Sequence, residues 1–233
     1  MGNNRISTGI QGLDEILHGG FMPDSSYLIV GGPGSGKTIL SLQFMLEGIK
    51  RKARCLYITF AEPEETIRKN AASFGWDLTG LAFADLTKHT CPPDTYGEYT
   101  VFPPSEVEKG PVWKAIYQTV EEYKPDRLVI DSVTFLRYLS IDEYQYRKQA
   151  QKLVNYLSGA KCLSLLLFEP SELEKEISLA LAVDGVIVLR NEISAGKVTE
   201  IRSLAVSKLR GSPFLSGRHP LMNHCARHRS LAS

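Results

Sequence analysis

The chain has 233 residues, 43% of them hydrophobic, and a formal net charge of +1. That length suffices to bury one good core and predicts a single domain over residues 1–222, with a tail at 223–233 that loses all periodicity and is expected to be disordered. The near-neutral balance excludes an overall field that would draw the protein to nucleic acid or to a membrane surface, so any such contact has to be local.

The four cysteines, Cys55, Cys91, Cys162 and Cys225, form no Cys-x-x-Cys pair. They argue against a zinc knuckle or a dense disulfide framework and read as reduced thiols. His224-Cys225 with His228 sits on the short tail and is not read as a metal site. No apolar run approaches the roughly 18 residues that a spanning helix needs, and the polar Met1–Arg5 start lacks the apolar stretch of a signal peptide. A cytoplasmic protein without membrane contact is expected. Met1-Gly2 does not begin a myristoylation signal, because the sixth residue is Ile6.

The first strand signal is the apolar run Tyr27–Val30, and the segment after it carries the chemistry. Gly31-Gly32-Pro33-Gly34-Ser35-Gly36-Lys37-Thr38 matches the Walker A pattern, with a strand before it and the helical periodicity of Ile39–Lys50 after it. Glycines let the backbone curl so that its N–H groups converge on phosphate oxygens, and the helix start adds the positive end of a dipole. Lys37 is then expected to meet the β and γ phosphates of a nucleoside triphosphate, and the Thr38 hydroxyl to ligate Mg2+.

Cys55–Phe60 reads as the next strand and runs into Ala61-Glu62-Pro63-Glu64-Glu65. Glu64 and Glu65 read as acids at the N-terminus of the helix Glu64–Phe74, where negative charge is favoured. Glu62, nearest the strand end, is the candidate for orienting the water that attacks the γ-phosphate. Phe74 and Trp76 read as core packing. Cys91–Gly110 holds four prolines and two glycines with Tyr96, Tyr99 and Phe102, a long loop that either meets a partner or packs on the surface.

Val112–Tyr123 and Tyr144–Leu157 carry helical periodicity, while Arg127–Ile130, Leu163–Phe168 and Val186–Leu189 read as strands. Alternating strands and helices predict an α/β fold with a mainly parallel β-sheet flanked by helices. Asp131, directly after Arg127–Ile130, resembles the Walker B carboxylate and is expected on the Mg2+ side. A recombinase would need a basic or aromatic DNA-contacting loop after the fourth of these strands. Here that loop, Glu169–Glu176, holds four glutamates and one lysine, so DNA is not expected.

Several further stretches carry a family resemblance: Ser7-Thr8-Gly9-Ile10 with Gly12-Leu13-Asp14, His18-Gly19-Gly20, Asn70–Leu78, Ile130-Asp131-Ser132, Asp184–Arg190 and Lys208–Ser212. With the Walker A segment they span roughly residues 5–215, and the chain resembles the KaiC family of RecA-like ATPases in its single-domain form. Phe74–Asp77 and Lys208-Leu209-Arg210-Gly211 are the specific matches, since generic P-loop proteins have neither. The resemblance implies a RecA-like P-loop NTPase core and ring-shaped homo-oligomers, hexamers in the family, with ATP at subunit interfaces. A Lys-x-Arg pair at a strand end is by itself a solvated edge. The resemblance implies instead that Lys208 and Arg210 reach the neighbour's γ-phosphate and join Lys37 and Glu62 in catalysis. No Asn-Lys-x-Asp base-reading motif for guanine is present.

The expected function is that of an ATP-binding, ATP-hydrolysing regulatory ATPase, with a regulatory protein as a further partner. The alternatives are a non-hydrolysing ATP-dependent assembly scaffold and a recombinase-type ATPase. Three departures bear on the choice. Ala61-Glu62 stands where the family shows two adjacent glutamates. Ala180 and Leu181 stand where the clock protein carries its autophosphorylated Ser-Thr pair. The family sequence continues past the Arg218-His219-Pro220 region into a closing β segment, whereas this chain enters its tail, which predicts an incomplete sheet edge.

Overall fold

The structure, a computed structural model, describes residues 5–87, 111–138, 140, 142–170, 178–193 and 200–221. Its strands are β1 (Ser26–Val30), β2 (Cys55–Thr59), β3 (Leu81–Asp85), β4 (Arg127–Asp131), β5 (Leu163–Phe168), β6 (Gly185–Ile193), β7 (Glu200–Leu209) and β8 (His219–Pro220). The helices are α1 (Gln11–Ile16), α2 (Lys37–Lys50), α3 (Glu64–Ser73), α4 (Pro111–Tyr123), α5 (Val133–Tyr138), α6 (Glu143–Gly159) and α7 (Ser178–Ala182).

The eight strands form one sheet in the order β3-β2-β4-β5-β1-β6-β7-β8. Pairing is parallel from β3 through β6 and antiparallel beyond it. Every residue of β1, β2 and β5 is buried, which explains their continuous apolar sequences: a parallel strand covered on both faces cannot alternate. Successive side chains feed two cores. Leu28, Ile58 and Leu128 pack under Ile116 and Val120 of α4 and Leu153 of α6. Tyr27, Ile29 and Tyr57 pack under Leu13 of α1, Phe44 and Met45 of α2, and Ile67 of α3. The mainly parallel α/β architecture expected from the sequence is therefore present.

Two edges escaped the sequence pattern. β3, as long as β1, is only half-buried on most of its length and carries Ala82, Phe83 and Ala84 in place of branched aliphatics, and β7 interleaves Ser203, Ser207 and Lys208 among its apolar residues. Val186–Leu189 is the centre of a longer strand, Gly185–Ile193, paired with β7 through an irregularity at Val186/Ile187. The edge predicted to be incomplete carries the two-residue β8, with Ser203 opposite Pro220. The core reading holds for Trp76, which is half-buried and packs against the core that holds Ile67, and is corrected for Phe74, which is half-buried and stacks on Trp76, centroids 5.1 Å apart, across Gly75 at φ 75°. The loop Cys91–Gly110 and the tail 223–233 lie outside the described residues, as do 171–177 of the acidic loop. Among the described residues no helix is long and apolar enough to cross a membrane, and Cys55 and Cys162 are free, buried thiols.

α2 is fixed to the sheet by a buried arginine. The Arg127 guanidinium donates to the Phe44 carbonyl at 2.7 Å and lies over the Phe44 ring at 4.5 Å, so its charge is spent on a backbone dipole and a π face. Gly48 makes room for it, since a Cβ there would stand 2.5 Å from Cys55 Sγ and 2.6 Å from Arg127 Cδ. Gly48→Ala should gain about 1 kcal/mol of helix preference yet lose more to overpacking, typically about 1–3 kcal/mol. A lowered urea midpoint is expected, and a raised one would show that Arg127 can yield.

Candidate nucleotide site

β1 is paired on one side with β5 and on the other with β6 up to Val30. The chain leaves it at Gly31, whose N–H donates to the Phe168 carbonyl at 3.1 Å. A side chain at Gly31 would collide with Ser35 Oγ and the Leu189 carbonyl, so the loop closes on itself only because this residue has none. Gly34 (φ 71°) and Gly36 (φ 100°) take left-handed conformations and deliver the backbone into α2. The helix then begins without a side-chain cap, so its first N–H groups face back toward the loop with no side chain to satisfy them.

These residues fit a phosphate group. Around Gly32 and Gly34 nothing stands within 4 Å of where a Cβ would be, which is the open side of the loop. Ser35 is 1% exposed and its Oγ has no hydrogen-bond partner among the described residues, an orphan polar atom in a loop otherwise built of backbone donors. Pro33 lies exposed at the loop's tip. Lys37 Nζ donates to the carbonyls of Gly31 at 2.7 Å and Gly32 at 3.0 Å, so the ammonium is held inside the loop's curve. Burial lowers its pKa, against the opposing pull of Glu169 and Asp131.

Asp131, the last residue of β4, faces the helix start. Its Oδ2 accepts from Tyr57 Oη at 2.6 Å and, at 3.4 Å, from Thr38 Oγ1. Burial raises its pKa, opposed by the Tyr57 bond, by the charge of Lys37 and by Thr38. Tyr57 is pushed well above its ordinary value, first by burial and then by the Asp131 charge. The sheet thus brings Lys37, Thr38 and Asp131 together, as the sequence predicted. Such a set, a cation and a hydroxyl at a helix start facing a buried carboxylate, suits a phosphate chain with a divalent metal.

Glu62 lies at the same sheet end but on the surface. Its carbonyl accepts from Thr59 Oγ1 at 2.6 Å, which closes the turn after β2 and leaves the carboxylate exposed. Glu64 and Glu65 sit in the first turn of α3 as expected, Glu64 paired with Arg68 at 2.7 Å. Lys208 and Arg210 are elsewhere. Lys208 Nζ donates to the carbonyls of Ala180 at 2.6 Å and Val183 at 2.7 Å, and Arg210 to Leu181 at 2.7 Å, so both satisfy the C-terminal carbonyls of α7. Leu209 pairs with Gly185, and Gly185 with Tyr27, at the start of β1. Four strand steps, roughly 13 Å, separate that level from Gly31, so neither residue joins the loop of its own chain.

Three features were not singled out from sequence. Tyr57 is a phenol in the middle of a wholly buried strand, and a buried phenol needs a partner. Glu169 follows β5 as Asp131 ends β4, and the strand-end rule applies to it equally. A cavity of about 610 Å³ opens beside Gly36, Ile39, Phe74, Trp76, Leu204 and Leu221. Residues 9–16 line it too, so it gathers five separate chain segments, which no local pattern shows.

A family model described as "ATPase: KaiC" matches residues 6–223. A UPF0273 protein of Methanopyrus kandleri is 33% identical over 231 residues, covering 94% of this chain and 89% of its own length. A UPF0273 protein of Thermotoga maritima is 35% identical, with 93% and 91% covered. The circadian clock protein KaiC3 of Synechocystis is 30% identical over 94% of this chain, which spans 44% of that longer protein. A solved KaiC-like protein from Pyrococcus horikoshii superposes with a TM-score of 0.74 at 26% identity, with 93% and 94% of the two chains covered.

The Asp131 shift has a sign that can be tested without ligand. A carboxyl whose folded pKa is raised adds stability in acid that is lost as pH rises through the folded value. Asp131→Asn should therefore stabilise the ligand-free protein at neutral pH by about 0.5–2 kcal/mol, with the gain vanishing below the ordinary carboxylate range. Thermal unfolding at both pH values checks this. An equal gain at both would place its source elsewhere.

Proposed function

Because the chain belongs to the KaiC family of ATPases, we propose that it binds ATP with Mg2+ in the Gly31–Thr38 loop and hydrolyses it at the interface between copies of itself. The regulatory change this would drive passes to a partner protein. The observation that carries the reading is the convergence of Lys37, Thr38 and Asp131 on one loop mouth. In this reading Gly31, Gly32, Pro33, Gly34, Ser35 and Gly36 shape the phosphate cradle, and Lys37 turns from the loop carbonyls to the β and γ phosphates. Thr38 and Asp131 hold the cation, which supplies neutralisation of phosphate charge. The base enters the cavity beside Gly36, where the stacked pair Phe74 and Trp76 offers an aromatic wall.

Glu62 orients the attacking water once a neighbouring subunit covers its exposed carboxylate. Lys208 and Arg210, too far from their own loop, complete the neighbour's site. That division favours a ring, with the family's hexamer as the first expectation, and a cytoplasmic protein without a DNA substrate. One observation favours a second reading, a non-hydrolysing scaffold that assembles on ATP. Ala61 removes one of the two carboxylates the family shows, and the other is exposed.

Lys37→Ala removes the only cationic side chain in the loop, and titration with a fluorescent ATP analogue should show tight binding lost while the fold persists. Unchanged affinity would overturn the site. Arg210→Ala and Glu62→Gln should each lower turnover by about 100-fold or more. Mixed oligomers of the two should recover part of it, because some interfaces then pair an intact cradle with an intact Arg210. Thermal unfolding of Arg210→Ala controls for its loss from the end of α7. A mixture no better than its parents would return Arg210 to a purely structural role, and normal turnover in Glu62→Gln would move the water-orienting role to another residue.

A further inference from the structure

Asp131 is held from behind as well as from in front. Of the two donors on its Oδ2, Thr38 at 3.4 Å lies on the loop side, whereas Tyr57 at 2.6 Å reaches it from the adjacent strand β2. Thr59 on β2 stands opposite Asp131 on β4 in register, which places Tyr57 two residues back on the same sheet face. The Tyr57 ring is fully buried between Phe83, at 5.5 Å, and the underside of α2. Ser41, one turn beyond Thr38 on α2, donates its hydroxyl to the Thr38 carbonyl at 2.8 Å. Ser41 is itself completely buried.

The hydroxyls of Thr38 and Tyr57 therefore meet on one carboxylate oxygen and link the helix that carries the loop to β4 and β2. Of these residues, Tyr57 lies outside the Walker segments. A carboxylate tied by one oxygen cannot rotate about its last bond, and Oδ1 accepts from no donor among the described residues. The short charge-assisted Tyr57 bond is the stronger of the two. The long Thr38 bond is the one a cation would replace, since the same hydroxyl is a metal ligand in the proposed function.

We infer that Tyr57 is a positioning residue for the divalent cation: its hydroxyl holds Oδ2 of Asp131 so that the carboxylate meets the metal without first having to be ordered. The inference rests on the proposed role of Asp131 and extends it to the residue that donates to its carboxylate from β2. Hydrogen-bonded partners behind a metal ligand typically change metal affinity by about 10–100-fold when removed.

The test is titration of Mn2+, followed by electron paramagnetic resonance, into the full chain saturated with a non-hydrolysable ATP analogue. Tyr57→Phe keeps the ring and its packing and should weaken Mn2+ binding by about tenfold or more, with metal-free analogue affinity unchanged. Tyr57→Met, which fills part of the ring's space without a donor, should weaken Mn2+ binding likewise. If Tyr57→Phe does not fold, Tyr57→Met carries the test, and unchanged Mn2+ affinity in it overturns the inference. Unchanged Mn2+ affinity in Tyr57→Phe, with a loss in Asp131→Asn, overturns the role of Tyr57 alone. No loss in Asp131→Asn either overturns the metal-side reading of Asp131 and this inference with it. An equal fall in metal-free analogue affinity would make Tyr57 a general packing residue and also overturn it.

Discussion

β1 is hydrogen-bonded along both flanks and buried on both faces, so the point where the chain leaves it has no freedom. Everything at the candidate site follows from that fixed exit. Gly31 remains bonded to β5 as it turns away, and the two left-handed glycines spend their conformational freedom on turning the loop into α2. The strands that hold β1 and β2 in place are also the ones whose carboxyl ends present Glu169 and Asp131. The site is thus a property of the sheet's centre, and the loop inherits its position from it.

Charge is the cost of that position. A lysine and an aspartate face one another in a region sheltered from water, and burial moves the pKa of each toward its neutral form. Neither is left without partners: the ammonium is held by two loop carbonyls and the carboxylate by two hydroxyls. Such groups are ordered in advance for a ligand of charged oxygens, in keeping with the tendency of functional sites to give up stability. The buried Arg127 is the contrasting case. Its charge faces a carbonyl and a ring inside the core, with no opening toward the site, and its work is to dock α2.

Distance organises the remaining residues. Lys208 and Arg210 sit at the amino end of β1's neighbours and the loop at the carboxyl end, so a chain of this fold cannot bring them together by side-chain motion. In the single chain they satisfy the carbonyls at the end of α7. That helix has only five residues, and its C-terminal carbonyls would otherwise need water. The same two cations therefore support a short helix at the start of β6 and remain at the surface, where a second copy could be met.

Sequence alone determined the fold class, the loop and the carboxylate that faces it. These are read from patterns that are local or nearly so: continuous apolar strands, a glycine-rich turn between strand and helix, an acid at a strand end. Asp131 is 93 positions beyond Thr38, yet its place was legible because parallel strands all present their carboxyl ends on one side. What only the tertiary structure decided has no such local mark. β3 at one edge and β7 next to the other are covered less completely than the centre, β3 with alanines in place of branched aliphatics and β7 interrupted by polar residues. Phe74 and Trp76 look like core by composition; Trp76 does pack on the core, and both also line a cavity assembled from five segments. Tyr57 carries no motif, and its meaning comes from the neighbour that strand pairing gives it. A carboxylate's partner is chosen by register across the sheet, which sequence constrains only once the order of the strands is known.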